Sequence, residues 1–198
     1  MRRETKDRIT VSRSRNLALA AVFGALYSAL VIGFAPISNL PIQVRVADAL
    51  MPLAILFGWP AILGLGIGTV VGNFAADSIT GFPSASIGLD IAGGSFVNLL
   101  TGFLAWKIGQ RGWKIRNWNM SWFVATLVET ALISVVVGGY LSVAFSIPLA
   151  LSILGILAGE VVAINIGGFV LLNIIGRARS LDLFKSWGLQ IYETNRNQ

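Results

Sequence analysis

Lys107-Ile108-Gly109-Gln110-Arg111-Gly112-Trp113-Lys114-Ile115-Arg116-Asn117-Trp118-Asn119 separates two long apolar runs and carries four cations. Upstream, Arg2, Arg3, Lys6, Arg8, Arg13 and Arg15 precede the first apolar run; downstream, Arg177, Arg179, Lys185 and Arg196 follow the last. Of the fifteen Lys and Arg residues, only Arg45 stands outside these three clusters. Cytoplasmic loops hold Lys and Arg back while loops without them cross the bilayer, so the pattern reports both class and orientation. It predicts an all-α, multi-pass protein of the cytoplasmic (inner) membrane with both termini in the cytoplasm.

With 55% hydrophobic and 12% charged residues, the chain has too little polar surface for a soluble domain. The formal charge of +6 does not point to nucleic acid, because the cations flank apolar spans instead of sharing one groove. The absence of Cys and His removes thiolate chemistry, structural zinc and the commonest general base. No cofactor or metal is expected, and any chemistry must run on carboxylates.

A crossing takes about 20 apolar residues, fewer where a helix is short or broken. Six transmembrane helices are predicted, at 16–34, 44–57, 60–76, 86–108, 121–145 and 149–175. They divide the chain into a basic cytoplasmic N-terminus (1–15), one membrane domain (16–175) and a cytoplasmic tail (176–198). The first run follows basic residues as a signal peptide does, but it is longer than a typical signal core and is read as a retained helix. The run 44–57 contains Pro52, whose missing N–H and ring clash predict a bend. Gly58-Trp59-Pro60 predicts the turn into the next helix. Six crossings from inside place the Lys- and Arg-free loops 35–43, 77–85 and 146–148 outside and the basic loop 107–119 inside, which agrees with the charge pattern. Residues 181–192 alternate apolar and charged, as in a short amphipathic helix lying on the cytoplasmic interface.

Small residues recur at helical spacing: Ala21, Ala25, Ala29 and Gly33; Gly64, Gly68 and Gly72; Gly155, Gly159, Ala163 and Gly167. Such stripes let helices approach closely in lipid, most often within one molecule. Gly64-Leu65-Gly66-Ile67-Gly68 lacks the strand and the spacing of a nucleotide loop.

Five carboxylates fall in or beside the spans: Asp48, Asp77, Asp90, Glu129 and Glu160. Each needs a partner, a wet cavity or a function, since an ionised group at the bilayer centre costs at least about 2.5 to 3.5 kcal/mol. Structural explanations exist for three. Asp48 is three residues from Arg45 and suits a local ion pair; Asp77 suits a solvated loop; Asp90 suits a helix N-terminus. Glu160, set in an apolar run, has the weakest such explanation and is the first candidate. Two polar strips are expected to face the bundle, Asp90, Gly94, Asn98 and Thr101 on one helix and Thr126, Glu129, Thr130 and Ser134 on the next. Five acids against Arg45 favour a ligand that is cationic or rich in donors, such as one presenting the N1 and 2-amino edge of a guanine to a carboxylate. Phe34, Phe82, Tyr140 and Phe145 near the outer ends suit either a stacking surface or an aromatic belt.

Pro41-Ile42-Gln43-Val44-Arg45-Val46-Ala47-Asp48-Ala49-Leu50-Met51-Pro52, the glycine-rich run from Ala61 to Gly68 followed by Asn73, Asp90-Ile91-Ala92-Gly93-Gly94-Ser95, and Gly159-Glu160 together resemble the queuosine-precursor transporter (QueT) family. These are substrate-binding S-components of energy-coupling factor (ECF) importers, within the ABC transporter group. The family's Ser-Glu is Ala47-Asp48 here, and the stretch 77–86 fits the pattern poorly. The resemblance implies a six-helix subunit that captures substrate outside, docks on a transmembrane coupling subunit driven by two ATPase subunits, and tips to release substrate inside. It implies a 7-deazaguanine ligand such as 7-aminomethyl-7-deazaguanine, held by Arg45, Asp48, Asn73, Asp90, Asn98 and Glu160. It further implies that Ala21, Ala25 and Ala29 meet the coupling subunit, and that ATP is hydrolysed on the partners, so the chain itself is not an enzyme. Competing readings are an S-component for another vitamin-like solute, a stand-alone transporter using Glu160 or Glu129 as proton relay, and an intramembrane aspartyl protease built on Asp77 and Asp90. The last lacks its Gly-x-Gly-Asp signature, since Gly88-Leu89-Asp90 has no second glycine.

Overall fold

Each apolar run becomes a helix because, in lipid, a helix satisfies its own backbone polar groups. The computed structural model describes residues 2–38, 43–116 and 118–192, so Pro41, Ile42, Asn117 and Arg196 lie outside the described residues. In chain order the elements are α1 (Arg2–Gly33), the single turn α2 (Ala35–Ser38), a 3-10 helix (Val46–Leu53) running into α3 (Ala54–Phe57), α4 (Trp59–Thr80) and α5 (Ser84–Gly109). A hairpin of β1 (Lys114–Ile115) and β2 (Trp118–Asn119) leads to α6 (Met120–Phe145). Then α7 (Leu149–Glu160), a π-helix (Val161–Gly168) and α8 (Phe169–Ile175) follow one another without a break, and α9 (Ala178–Ser186) ends the series.

Five stretches are long and apolar enough to cross a membrane: Arg13–Gly33, Trp59–Thr80, Ser86–Gly109, Met120–Phe145 and Leu149–Ile175. The expected second span is different. It is the shorter apolar helix Val46–Phe57, whose 3-10 and α portions rise only about 22 Å. Pro52 lies inside the 3-10 portion, where its missing N–H breaks an α ladder and the chain takes the tighter i to i+3 pattern. All residues from 51 to 58 are buried, so this irregular backbone is enclosed by protein, the setting in which lipid tolerates it. Gly58, at φ 58°, makes the turn into α4, and Pro60 sits in the first turn of that helix.

Exposure runs opposite to that of a soluble domain. Leu17, Ile67, Phe74, Phe96, Val143 and Leu154 lie at the surface while Thr69, Asn73, Asp90, Asn98, Glu129 and Glu160 are buried. Both predicted polar strips do face inward. The glycines of α4 are packing devices. A Cβ on Gly64 would strike the carbonyl oxygen of Ala20, and one on Gly68 would lie 2.8 Å from that of Gly24, so α1 and α4 are in backbone contact. Ala21, Ala25 and Ala29 lie on the exposed face of α1. Likewise, Gly159 abuts the Gln43 carbonyl and Gly168 abuts Ala49 and Pro52, fitting the last long helix against the short one.

Two expectations need correction. The loop 107–119 folds as an antiparallel hairpin pairing Lys114 with Asn119 and Ile115 with Trp118, a small departure from all-α. The tail helix ends at Ser186, and the chain then turns back, so that the Tyr192 N–H donates to Leu56 O at 2.8 Å. Gln110 Nε2 donates to Ile55 O at 2.8 Å. Between them they satisfy carbonyls that the one-turn helix α3 leaves open, which explains why 189–192 does not continue as an interfacial helix.

Candidate functional site

Arg45 immediately precedes the 3-10 helix with φ −88° and ψ 88°, a non-helical backbone that takes its side chain out of register with Asp48. The local pair between these two does not form. Instead Arg45 Nη2 reaches across to Asp90 Oδ2 on α5 at 3.8 Å. Tyr140 of α6 donates its hydroxyl to Asp90 Oδ1 at 2.6 Å, and Asn73 Nδ2 of α4 donates to the Asp90 backbone carbonyl at 3.2 Å. Because α5 begins at Ser84, Asp90 lies beyond its first turn, and these partners rather than the helix dipole hold it. Asp77 is buried, not solvated. α4 runs a turn past the expected end to Thr80 and stops at Gly81, φ 74°, which carries the Asp77 carboxyl inside, close enough to that of Asp90 for the two to interact electrostatically.

Asp48 belongs to a second group beneath Arg45. It accepts a hydrogen bond from the Tyr27 hydroxyl of α1. Asn98 Nδ2 donates to Tyr27 Oη and to Thr69 Oγ1, each at 2.8 Å, and Thr69 donates to Leu65 O at 2.8 Å. The Glu160 carboxyl, at the end of α7, lies close enough to that of Asp48 to interact with it electrostatically. Four carboxyl groups, Asp48, Asp77, Asp90 and Glu160, thus gather around one guanidinium at the centre of the bundle. All six residues expected to bind ligand, Arg45, Asp48, Asn73, Asp90, Asn98 and Glu160, fall in this assembly.

Among the described residues, Asn73 Oδ1, Asp77 Oδ2 and Glu160 Oε2 are buried without a hydrogen-bond partner. Leaving such a group unsatisfied costs about 1 to 3 kcal/mol, so three in one cluster make it the candidate site. All three are acceptors, and they stand among an excess of acid. The complement is a molecule rich in N–H donors or positively charged.

Sequence reasoning missed Tyr27 and Thr69, gave Asp77 to a solvated loop, and treated Tyr140 as part of an aromatic surface. Of the aromatics named with Tyr140, Phe82 and Phe145 pack edge to face at 4.9 Å. Signals existed for the places of Tyr27 and Asp77. A tyrosine hydroxyl within an apolar span must find a partner, and Gly81 is a helix-ending glycine placed four residues after Asp77.

Compared with known protein families, residues 17–177 match the profile of one described as the QueT transporter. No curated protein and no solved structure matches the chain.

Proposed function

The chain belongs to the QueT transporter family, and from that premise we propose that it is the substrate-capture S-component of an ECF-type importer for a queuosine precursor, a 7-deazaguanine. It sits in the cytoplasmic membrane with six crossings, the second being the enclosed Val46–Phe57 element, and with both termini inside. The observation that carries the reading is the trio of unmet acceptors in the carboxylate cluster. A 7-deazaguanine offers N1–H and a 2-amino group side by side, and a carboxylate accepts that pair as two parallel hydrogen bonds. Glu160, Asp77 and Asn73 present the unmet acceptors to the ligand, Asp90 and Asp48 line the site beside them, Arg45 holds the acids together, and Asn98 orients Tyr27 against Asp48. The exposed alanine face of α1 docks on the coupling subunit, and ATP is hydrolysed by two partner ATPases.

Thermal-shift screening of the purified protein against deazaguanines and vitamins, followed by calorimetry, tests this. A 7-deazaguanine should bind, and Glu160→Gln or Asp90→Asn should weaken it by about tenfold or more, since charge-assisted bonds are roughly twice as strong as neutral ones. Unchanged affinity in both variants removes the cluster as the binding site. Uptake by the chain alone, in a host without the ATPase module, would replace the S-component reading with that of a stand-alone transporter.

A further inference from the structure

Glu129 lies outside the six-residue assembly and has no place in the scheme above. It is 0% exposed on α6, and neither Oε1 nor Oε2 has a hydrogen-bond partner. The next residue, Thr130, donates its hydroxyl to Asn165 Oδ1 at 2.8 Å, which leaves Asn165 Nδ2 buried and unpartnered as well. Asn165 belongs to the π-helix Val161–Gly168. In an α-helix, residues five apart point about 140° away from one another; the wider π turn, which bonds i to i+5, narrows that separation. The π turns therefore bring Asn165 toward the face that Glu160 occupies. Glu129 is close enough to Asp48 and Glu160 to interact with both electrostatically.

An acceptor pair that lacks donors, one residue along α6 from the Thr130 that holds an amide whose N–H lacks an acceptor, is complemented by a ligand edge carrying a cation next to a carbonyl. We infer that Glu129 and Asn165 form the other half of the ligand site, Glu129 receiving a primary ammonium and Asn165 Nδ2 donating to an adjacent ring carbonyl. This rests on the 7-deazaguanine reading. In a 7-aminomethyl-7-deazaguanine the aminomethyl arm and the ring carbonyl share one edge, which meets at that carbonyl the N1 and 2-amino edge assigned to the carboxylate cluster. The two groups of unmet atoms then read the two edges of one flat molecule.

Calorimetry on the full chain in detergent, with 7-aminomethyl-7-deazaguanine and with 7-deazaguanine lacking the arm, tests the assignment. The wild type should prefer the aminomethyl compound by about tenfold or more, the scale of a charge-assisted hydrogen bond. Glu129→Gln keeps the shape and should bring the two affinities within about twofold, by weakening the aminomethyl compound alone. Asn165→Leu removes the donor facing a carbonyl that both compounds carry, and should weaken both alike. A wild-type preference retained in Glu129→Gln, no preference in the wild type, or equal loss of both compounds in Glu129→Gln would each overturn this subsite while leaving the capture function standing. Failure of the wild type to bind either compound would instead overturn the deazaguanine reading, and the subsite with it.

Discussion

Removing a single oxygen, in Tyr27→Phe, tests whether the polar core holds α1 to the rest of the bundle. Tyr27 is 0% exposed, donates to the Asp48 carboxylate and accepts from Asn98 Nδ2 at 2.8 Å. Phenylalanine keeps the ring and its packing, so the cavity contribution is small and the loss is almost entirely polar. A hydrogen bond to a charged group contributes about 1.5 to 3 kcal/mol, whereas bonds between membrane helices average about 0.6 kcal/mol because the unfolded reference finds other partners. The Asn98 bond belongs with the smaller figure, since its amide keeps Thr69 at 2.8 Å. The Asp48 bond belongs with the larger, because a carboxylate 1% exposed has few substitutes. The expected destabilisation is therefore about 2 to 3.5 kcal/mol. Equilibrium unfolding in mixed micelles, followed by the fluorescence of the six tryptophans, measures it. A cycle with Asp48→Asn should show a coupling of about 1 kcal/mol or more. A loss below about 0.5 kcal/mol together with an additive cycle would refute the network, because ordinary surface substitutions fall in that range.

Other perturbations reach the remaining elements. Cysteines at Ser84 and Ile147 should be labelled by an impermeant reagent in intact cells, and one at Arg111 only after permeabilisation; external labelling at 111 would overturn the six-crossing topology. Ala25→Trp should leave ligand affinity unchanged while abolishing uptake and co-purification with the coupling subunit, because a bulky ring on the exposed face of α1 holds a docking helix away; normal uptake with correct insertion would reject that interface. Gly159→Ala places a methyl against the Gln43 carbonyl, so a loss of about 1 to 3 kcal/mol in stability is expected from overpacking, with weakened ligand binding because Gln43 leads into Arg45. Unchanged unfolding and calorimetry in that variant would show that the 43–45 segment yields freely.

The helical frame was legible because its signals are local. The Lys and Arg clusters bracket the long helices, and the five long spans begin and end within a few residues of the apolar runs that announce them. Gly58-Trp59-Pro60 marked its turn because glycine accepts φ 58° and proline fits a first turn. The second run was harder, since Val46–Phe57 is short for lipid and is enclosed by other helices. Enclosure is a property of the neighbours, and no residue within the run encodes it alone.

The site shows the same division between local and non-local physics. That Asp48, Asp90 and Glu160 required an explanation followed from the cost of charge in lipid, but which partner each one takes depends on geometry between helices. Arg45 is three residues from Asp48, yet it pairs with Asp90, because its backbone is not helical and the i, i+3 rule applies only within a helix. Asn165 is the sharper case. Read at 3.6 residues per turn, it points well away from Glu160, and an amide on the wrong face of an apolar helix invites no functional reading. The sequence Val161-Val162-Ala163-Ile164-Asn165-Ile166-Gly167-Gly168 carries no known mark of π winding, yet that winding changes the period over which side chains align and places Asn165 against Thr130. Any reading that assigns helix faces at the α period must misplace the residues on one side of such a segment. The buried atoms left without partners on Glu129, Glu160 and Asn165 then become the observation that brings them together, because unmet hydrogen bonds in a lipid-solvated bundle have no water to hide the deficit.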